Sequence, residues 1–129
     1  MRDTLNYLKL HERMALDDCV NRLHLRLGDN LIGLWFFGSK SRGDFDPDSD
    51  IDLLVVLKIL QPETRWRIRE IAAQCSLEYD VLFNAHILDQ ARWDEEVHYR
   101  STLWREIQRD GVSLLLERVA DASDAWQTP

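Results

Sequence analysis

Two carboxylates, Asp50 and Asp52, flank Ile51 at the head of an apolar run, and ten residues separate Asp50 from a Gly38-Ser39 pair. Side chains alternate along a strand, so Asp50 and Asp52 project from one face while Ile51, Leu53 and Val55 project from the other. Two carboxylates at this spacing repel each other unless a cation lies between them. Hard divalent ions such as Mg²⁺ take oxygen ligands of this kind and keep positions open for phosphate oxygens. Gly38 lets backbone approach a phosphate closely, and exposed N–H groups together with the Ser39 hydroxyl can cradle it. Lys40 and Arg42 are the nearest cations. The Arg42 fork suits a phosphate and equally suits bracing the acidic loop that follows.

These groups need elements to hold them. Leu31 to Phe37 and Ile51 to Leu57 are continuously apolar, which predicts two central strands covered on both sides. Ser39 to Arg42 opens a short helix whose N-terminal amides face the Gly-Ser turn, a natural place for an anion. The loop from Asp44 to Asp50 (DFDPDSD) mimics a calcium loop. It carries Ser49 where Gly is required and Val55 where Glu is required, and Pro47 interrupts it, so a solvated turn is expected. Upstream, Leu16, Val20, Leu23 and Leu27 predict a helix over Thr4 to Leu27, ended by Gly28-Asp29-Asn30. Downstream, Glu63 to Cys75 reads as a helix with Pro62 near its first turn and Ile68, Ile71, Ala72 and Cys75 as its buried stripe.

Leu77 to Phe83 (LEYDVLF) is expected to be the third strand. Asp80 is its exception, a carboxylate whose charge needs compensation, and Glu78 shares its face. Leu103, Trp104 and Ile107 predict a short helix stopped by Asp110-Gly111, and Val112 to Leu116 reads as a last strand or a helix on the sheet. Trp93, Tyr99 and Trp104 pave an acceptor or partner surface or, the commoner fate of such residues, pack internally. His11 and His24 have no paired ligand, and His86 and His98 are unassigned. Apolar strands alternating with helices predict an α/β (α+β) chain, a small mixed sheet flanked by helices.

The whole chain of 129 residues is expected to form one domain, with residues 120–129 as a frayed tail. A net charge of −7 argues against grip on a polynucleotide through a broad basic surface, but not against a mononucleotide whose metal carries the positive charge. The expected substrate is a nucleoside triphosphate with a small or protein acceptor. Neither a membrane-length apolar run nor a signal-type N-terminus is seen, which predicts a cytoplasmic location. Cys19 and Cys75 lack metal-ligand spacing and read as buried, reduced thiols.

Gly38-Ser39, ten residues, then Asp50-Ile51-Asp52 resembles the signature of the polymerase-β-type nucleotidyltransferase superfamily. GSKSRG followed by SDIDLLV in a short chain resembles its minimal nucleotidyltransferases, the antitoxin partners of HEPN toxins. The resemblance implies a polymerase-β-like nucleotidyltransferase fold and transfer of AMP from ATP to a tyrosine hydroxyl of a HEPN toxin, within a hetero-oligomer. It implies two Mg²⁺ ions bridged by Asp50 and Asp52. Asp80 would complete the metal set as the third acid and act as base, with Glu78 as the fallback. Gly38 and Ser39 would hold the β- and γ-phosphates. Two other functions fit parts of this pattern: nucleotidyl transfer to a small hydroxylated molecule such as an aminoglycoside, and neutralisation of a toxin by occlusion alone. The acidic set speaks against the last, since occlusion needs no metal.

Overall fold

The computed structural model describes residues 7–43 and 49–115. Helix α1, Leu10–Leu27, buries Leu16, Cys19, Val20, Leu23 and Leu27 along one stripe. The expected start at Thr4 lies outside the described residues; the helix begins after Lys9, whose backbone N–H donates to Glu12 Oε1 at 2.8 Å. A 3₁₀ turn over Gly28–Asn30 leads into strand β1, Leu31–Phe37, followed by the single-turn helix α2, Ser39–Arg42. Strand β2, Ile51–Leu57, is buried at every position but Asp52.

Helix α3 runs Pro62–Tyr79, one turn beyond the sequence expectation. Its buried stripe, Ile68, Ile71 and Cys75, continues to Tyr79 one turn later, whose hydroxyl donates to Asp18 on α1 at 2.8 Å. The expected third strand over Leu77 to Phe83 therefore does not form. Asp80 instead caps α3 in the left-handed conformation (φ 56°, ψ 51°), its N–H donating to the Ser76 carbonyl. Asp tolerates that conformation better than most residues.

Strand β3 spans Phe83–Asp89 and pairs parallel with β2, Ile51 opposite Phe83 and Asp52 opposite Asn84. Helix α4, Gln90–His98, starts at Asp89, whose side chain accepts from Arg92 N–H, and helix α5, Thr102–Asp110, starts at Ser101, which caps Trp104 N–H. Strand β4, Val112–Ser113, pairs antiparallel with β1, so the last apolar segment opens as a strand. The sheet order is β3-β2-β1-β4, mixed, with β1 and β2 antiparallel.

One sheet face carries the larger core, where Ile51, Leu53, Val55 and Leu57 meet α1 and α3. Cys19 and Cys75 are buried free thiols in that seam, as expected. The other face carries Phe37, Leu54, Val56 and Ile107 with Trp35, Trp93 and Leu103 packed on them. Of the aromatic trio, Trp93 stacks on Trp35 at 5.6 Å and serves packing, whereas Tyr99 is exposed. Among the described residues no helix is long and apolar enough to cross a membrane.

Candidate functional site

Strand pairing brings the candidate groups together at one corner of the sheet. Phe37, Asp52 and Asn84 form a row across β1, β2 and β3. Their side chains share the face opposite Ile51, because paired residues project to the same side. Gly38 follows Phe37 with φ +94°, and a Cβ there would collide with Asp52 Oδ2. Glycine is thus required twice, for its backbone conformation and for the carboxylate lying against the turn. The Gly38 carbonyl accepts from the Ser41 and Arg42 N–H groups at 3.0 and 3.2 Å, which locks the turn onto α2.

Asp52 is half-buried. Burial raises its pKa, the Asn84 hydrogen bond and the nearby His86 work against that rise, and Asp50 and Glu106 push it further up. Its two oxygens have separate surroundings. Oδ1 accepts from Asn84 Nδ2 at 3.1 Å, and Oδ2 lies beside the Gly38 turn. Asp50, exposed, is two residues earlier, just before β2 begins.

The short helix α2 is clamped from two directions. Lys40 is not a cation offered to solvent: its side chain is 1% exposed and its Nζ lies 2.5 Å from Glu12 Oε2 on α1. Burial raises the Glu12 pKa, yet the Lys40 hydrogen bond, the Lys9 N–H and the Lys40 charge outweigh it and hold the carboxyl below its usual range. On the other side Ser41 Oγ donates to the Asp110 carbonyl at 2.6 Å, and Arg42 Nη1 lies 2.8 Å from Asp110 Oδ2. Asp110, at the end of α5, is also paired with Arg109 at 2.9 Å. Burial opposes its charge, but the two arginines hold its carboxyl below the usual range. Of the two expected roles for Arg42, phosphate ligand or brace of the acidic loop, the second falls on residues 44–48, which lie outside the described residues; the contact described is the one with Asp110. That contact ties α2 to α5.

The expected third acid does not join this group. Asp80 caps α3 and lines a separate cavity of about 590 Å³ with Lys9, His11, Ser49 and Ile51, on the side of β2 opposite Asp52. Glu78, the fallback, lies on α3 and pairs with Arg22 at 2.6 Å. Among the described residues no three His, Cys, Asp or Glu side chains gather closely enough to hold a metal ion. The position beside Asp52 belongs to Asn84, with His86 two residues along the same face; the His86 ring lies 5.5 Å from that of Phe37. The signal for these two is present as the alternation Asn84, His86, Leu88 against Phe83, Ala85, Ile87, but the neighbouring LEYDVLF carries a strand composition of its own.

The profile of the nucleotidyltransferase domain matches residues 16–103. MJ0141 of Methanocaldococcus jannaschii, named as a protein adenylyltransferase, is 39% identical over 59 residues, 45% of this chain and 60% of that protein. The chain thus matches less than two thirds of that relative's length. MJ0604 of the same organism, named likewise, is 26% identical over 90 residues, 70% of this chain and 86% of that protein. A crystal structure of a toxin–antitoxin with AMP-PNP shares the fold at a TM-score of 0.52 and 21% identity, covering 86% of this chain and 82% of that one.

Proposed function

The chain belongs to the nucleotidyltransferase domain family, and on that premise we propose that it transfers AMP from ATP to a tyrosine hydroxyl of a HEPN toxin, as that toxin's antitoxin. The observation that carries the transfer is the apposition of Asp52 and the Gly38-Ser39 turn, a carboxylate set against a backbone approach suited to phosphate. The two relatives named as protein adenylyltransferases support a protein acceptor. The toxin partner rests on the GSKSRG and SDIDLLV resemblance, and the fold neighbour is itself a toxin–antitoxin with AMP-PNP.

Asp50 and Asp52 fit a divalent cation: both are oxygen donors, and Asp52 carries a charge that burial and Asp50 oppose. Mg²⁺ bound there would neutralise charge on the phosphates. A second ion finds less support, because Asp80 and Glu78 stand elsewhere. Gly38 and Ser39 would hold the β- and γ-phosphates. The acceptor oxygen attacks the α-phosphorus and a new P–O bond forms. The bond to the β-phosphate oxygen breaks, pyrophosphate leaves with the electron pair, and the hydroxyl proton passes to a base. Little covalent work falls to the protein, so positioning dominates. The expected cytoplasmic site of action accords with this chemistry.

The test is ATP labelled at the α-phosphate, with Mg²⁺ and either a HEPN toxin, an aminoglycoside or neither. Label on a tyrosine of the toxin is expected. Label on the aminoglycoside would move the acceptor to a small molecule, and toxin neutralised without any label would replace catalysis by occlusion.

A further inference from the structure

We propose that His86 is the proton acceptor for the attacking hydroxyl, aimed by Asn84, in a site where an amide occupies the place of a third carboxylate. The inference rests on the transfer reading above and names the base that reading needs. Asn84 Nδ2 lies 3.1 Å from Asp52 Oδ1 and 3.4 Å from His86 Nε2. A carboxylate can only accept, so the amide must present its NH₂ to Asp52. The same NH₂ then faces His86 Nε2 and has no lone pair to offer it. The ring nitrogen turned toward the site is therefore the unprotonated one, and Nδ1 carries the hydrogen. Asp52 thus sets the amide, and the amide sets the tautomer.

The ring itself is held from the far side. Phe37, on β1, contacts it across β2, with ring centroids 5.5 Å apart. Since Phe37 pairs with Asp52, His86 reaches over the same corner from β3. The Asn84–His86 contact is long for a hydrogen bond, and an acceptor hydroxyl entering beside Asp52 can replace it. The step balances simply: the oxygen forms its bond to phosphorus, its proton moves to Nε2, and His86 leaves the step as an imidazolium. Among the described residues, Asp50 just before β2, Asp52 on β2 and Glu106 on α5 are acids that act on this corner.

Two variants and one spectroscopic measurement test this. His86→Ala removes the base and opens space for free imidazole, and His86→Phe removes the base while keeping an aromatic ring against Phe37. Both should bind Mg-ATP with wild-type affinity by calorimetry, and label transfer to the HEPN toxin should fall by about 10²–10⁴-fold. Imidazole in the buffer should restore part of the activity to His86→Ala alone. In the wild type, nitrogen NMR of labelled histidine should show Nε2 unprotonated, and Asn84→Ala should lose that tautomer preference. Transfer within a few-fold of wild type in His86→Ala overturns the proposal. So does a protonated Nε2, or loss of Mg-ATP binding in both variants, which would place His86 on the donor side. Wild-type protein that binds Mg-ATP and labels no acceptor would instead sink the transfer reading, and the base with it.

Discussion

Lys40→Met probes how the phosphate turn is held. The Lys40 and Glu12 side chains are 1% and 6% exposed, and their charged atoms lie 2.5 Å apart. Losing the lysine leaves Glu12 the Lys9 N–H at 2.8 Å as its hydrogen-bond donor. Breaking a buried pair from one side costs about 3–5 kcal/mol. The orphaned carboxylate can escape by binding a proton. At pH 7 that costs about 1.36 kcal/mol for each unit above its unfolded pKa near 4.3, a ceiling of about 3.7 kcal/mol. A loss of about 3 kcal/mol is expected at pH 7, roughly 10 °C in Tm for a chain of this size. In the wild type the Glu12 pKa is lowered on folding, so its contribution is present above the unfolded value and is lost as pH falls through the folded one. In the variant the folded carboxyl is the one that prefers the proton. The gap between the two proteins should therefore narrow by about 1.4 kcal/mol per pH unit, to a few tenths of a kcal/mol at pH 5. Urea unfolding at both pH values reads this directly. A loss below about 1 kcal/mol at pH 7, or an equal loss at both pH values, would refute the reasoning. The Glu12→Gln/Lys40→Met protein, which buries neither charge, should recover at least half of the deficit.

Other substitutions test the site. Asp52→Asn should abolish transfer while leaving metal-free thermal stability equal or higher, because burial and Asp50 already oppose the charge; a lower Tm in EDTA would contradict this. Gly38→Val places a side chain on Asp52 at a positive φ, so it should cost about 1–3 kcal/mol of stability and remove Mg-ATP binding. Intact affinity in the folded variant would reduce the turn to a structural role. Asp80→Asn should keep both stability and label transfer within about two-fold, since Asn also accepts the left-handed cap; transfer lost with the fold intact would return Asp80 to the metal set.

Much of the candidate site was legible because its chemistry is local. Gly38-Ser39 and Asp50-Ile51-Asp52 announce themselves by residue type and spacing, and the apolar runs on either side specify β1 and β2 through their period and composition. The alternation that puts Asp52 opposite Ile51 needs nothing beyond a strand. Helices α1 and α3 were readable from their stripes, although not their ends. LEYDVLF has the composition of a strand, yet Leu77 to Tyr79 went to α3, where Tyr79 completes a stripe and reaches Asp18. Local propensity is weak enough for one such contact to redirect a turn of chain. That redirection moved the third strand to Phe83 and left Asp80 as a cap. What stands beside Asp52 was then a matter of parallel register between segments thirty-two positions apart, which no local pattern encodes. The burial of Lys40 has the same origin: its partner, Glu12, lies twenty-eight residues earlier, and only the docking of α1 against α2 brings the two charges together. The sequence by itself determined which chemical groups the protein carries and which strands bear them. Tertiary structure alone decided which groups face one another, because strand register and buried ion pairs are set by long-range packing.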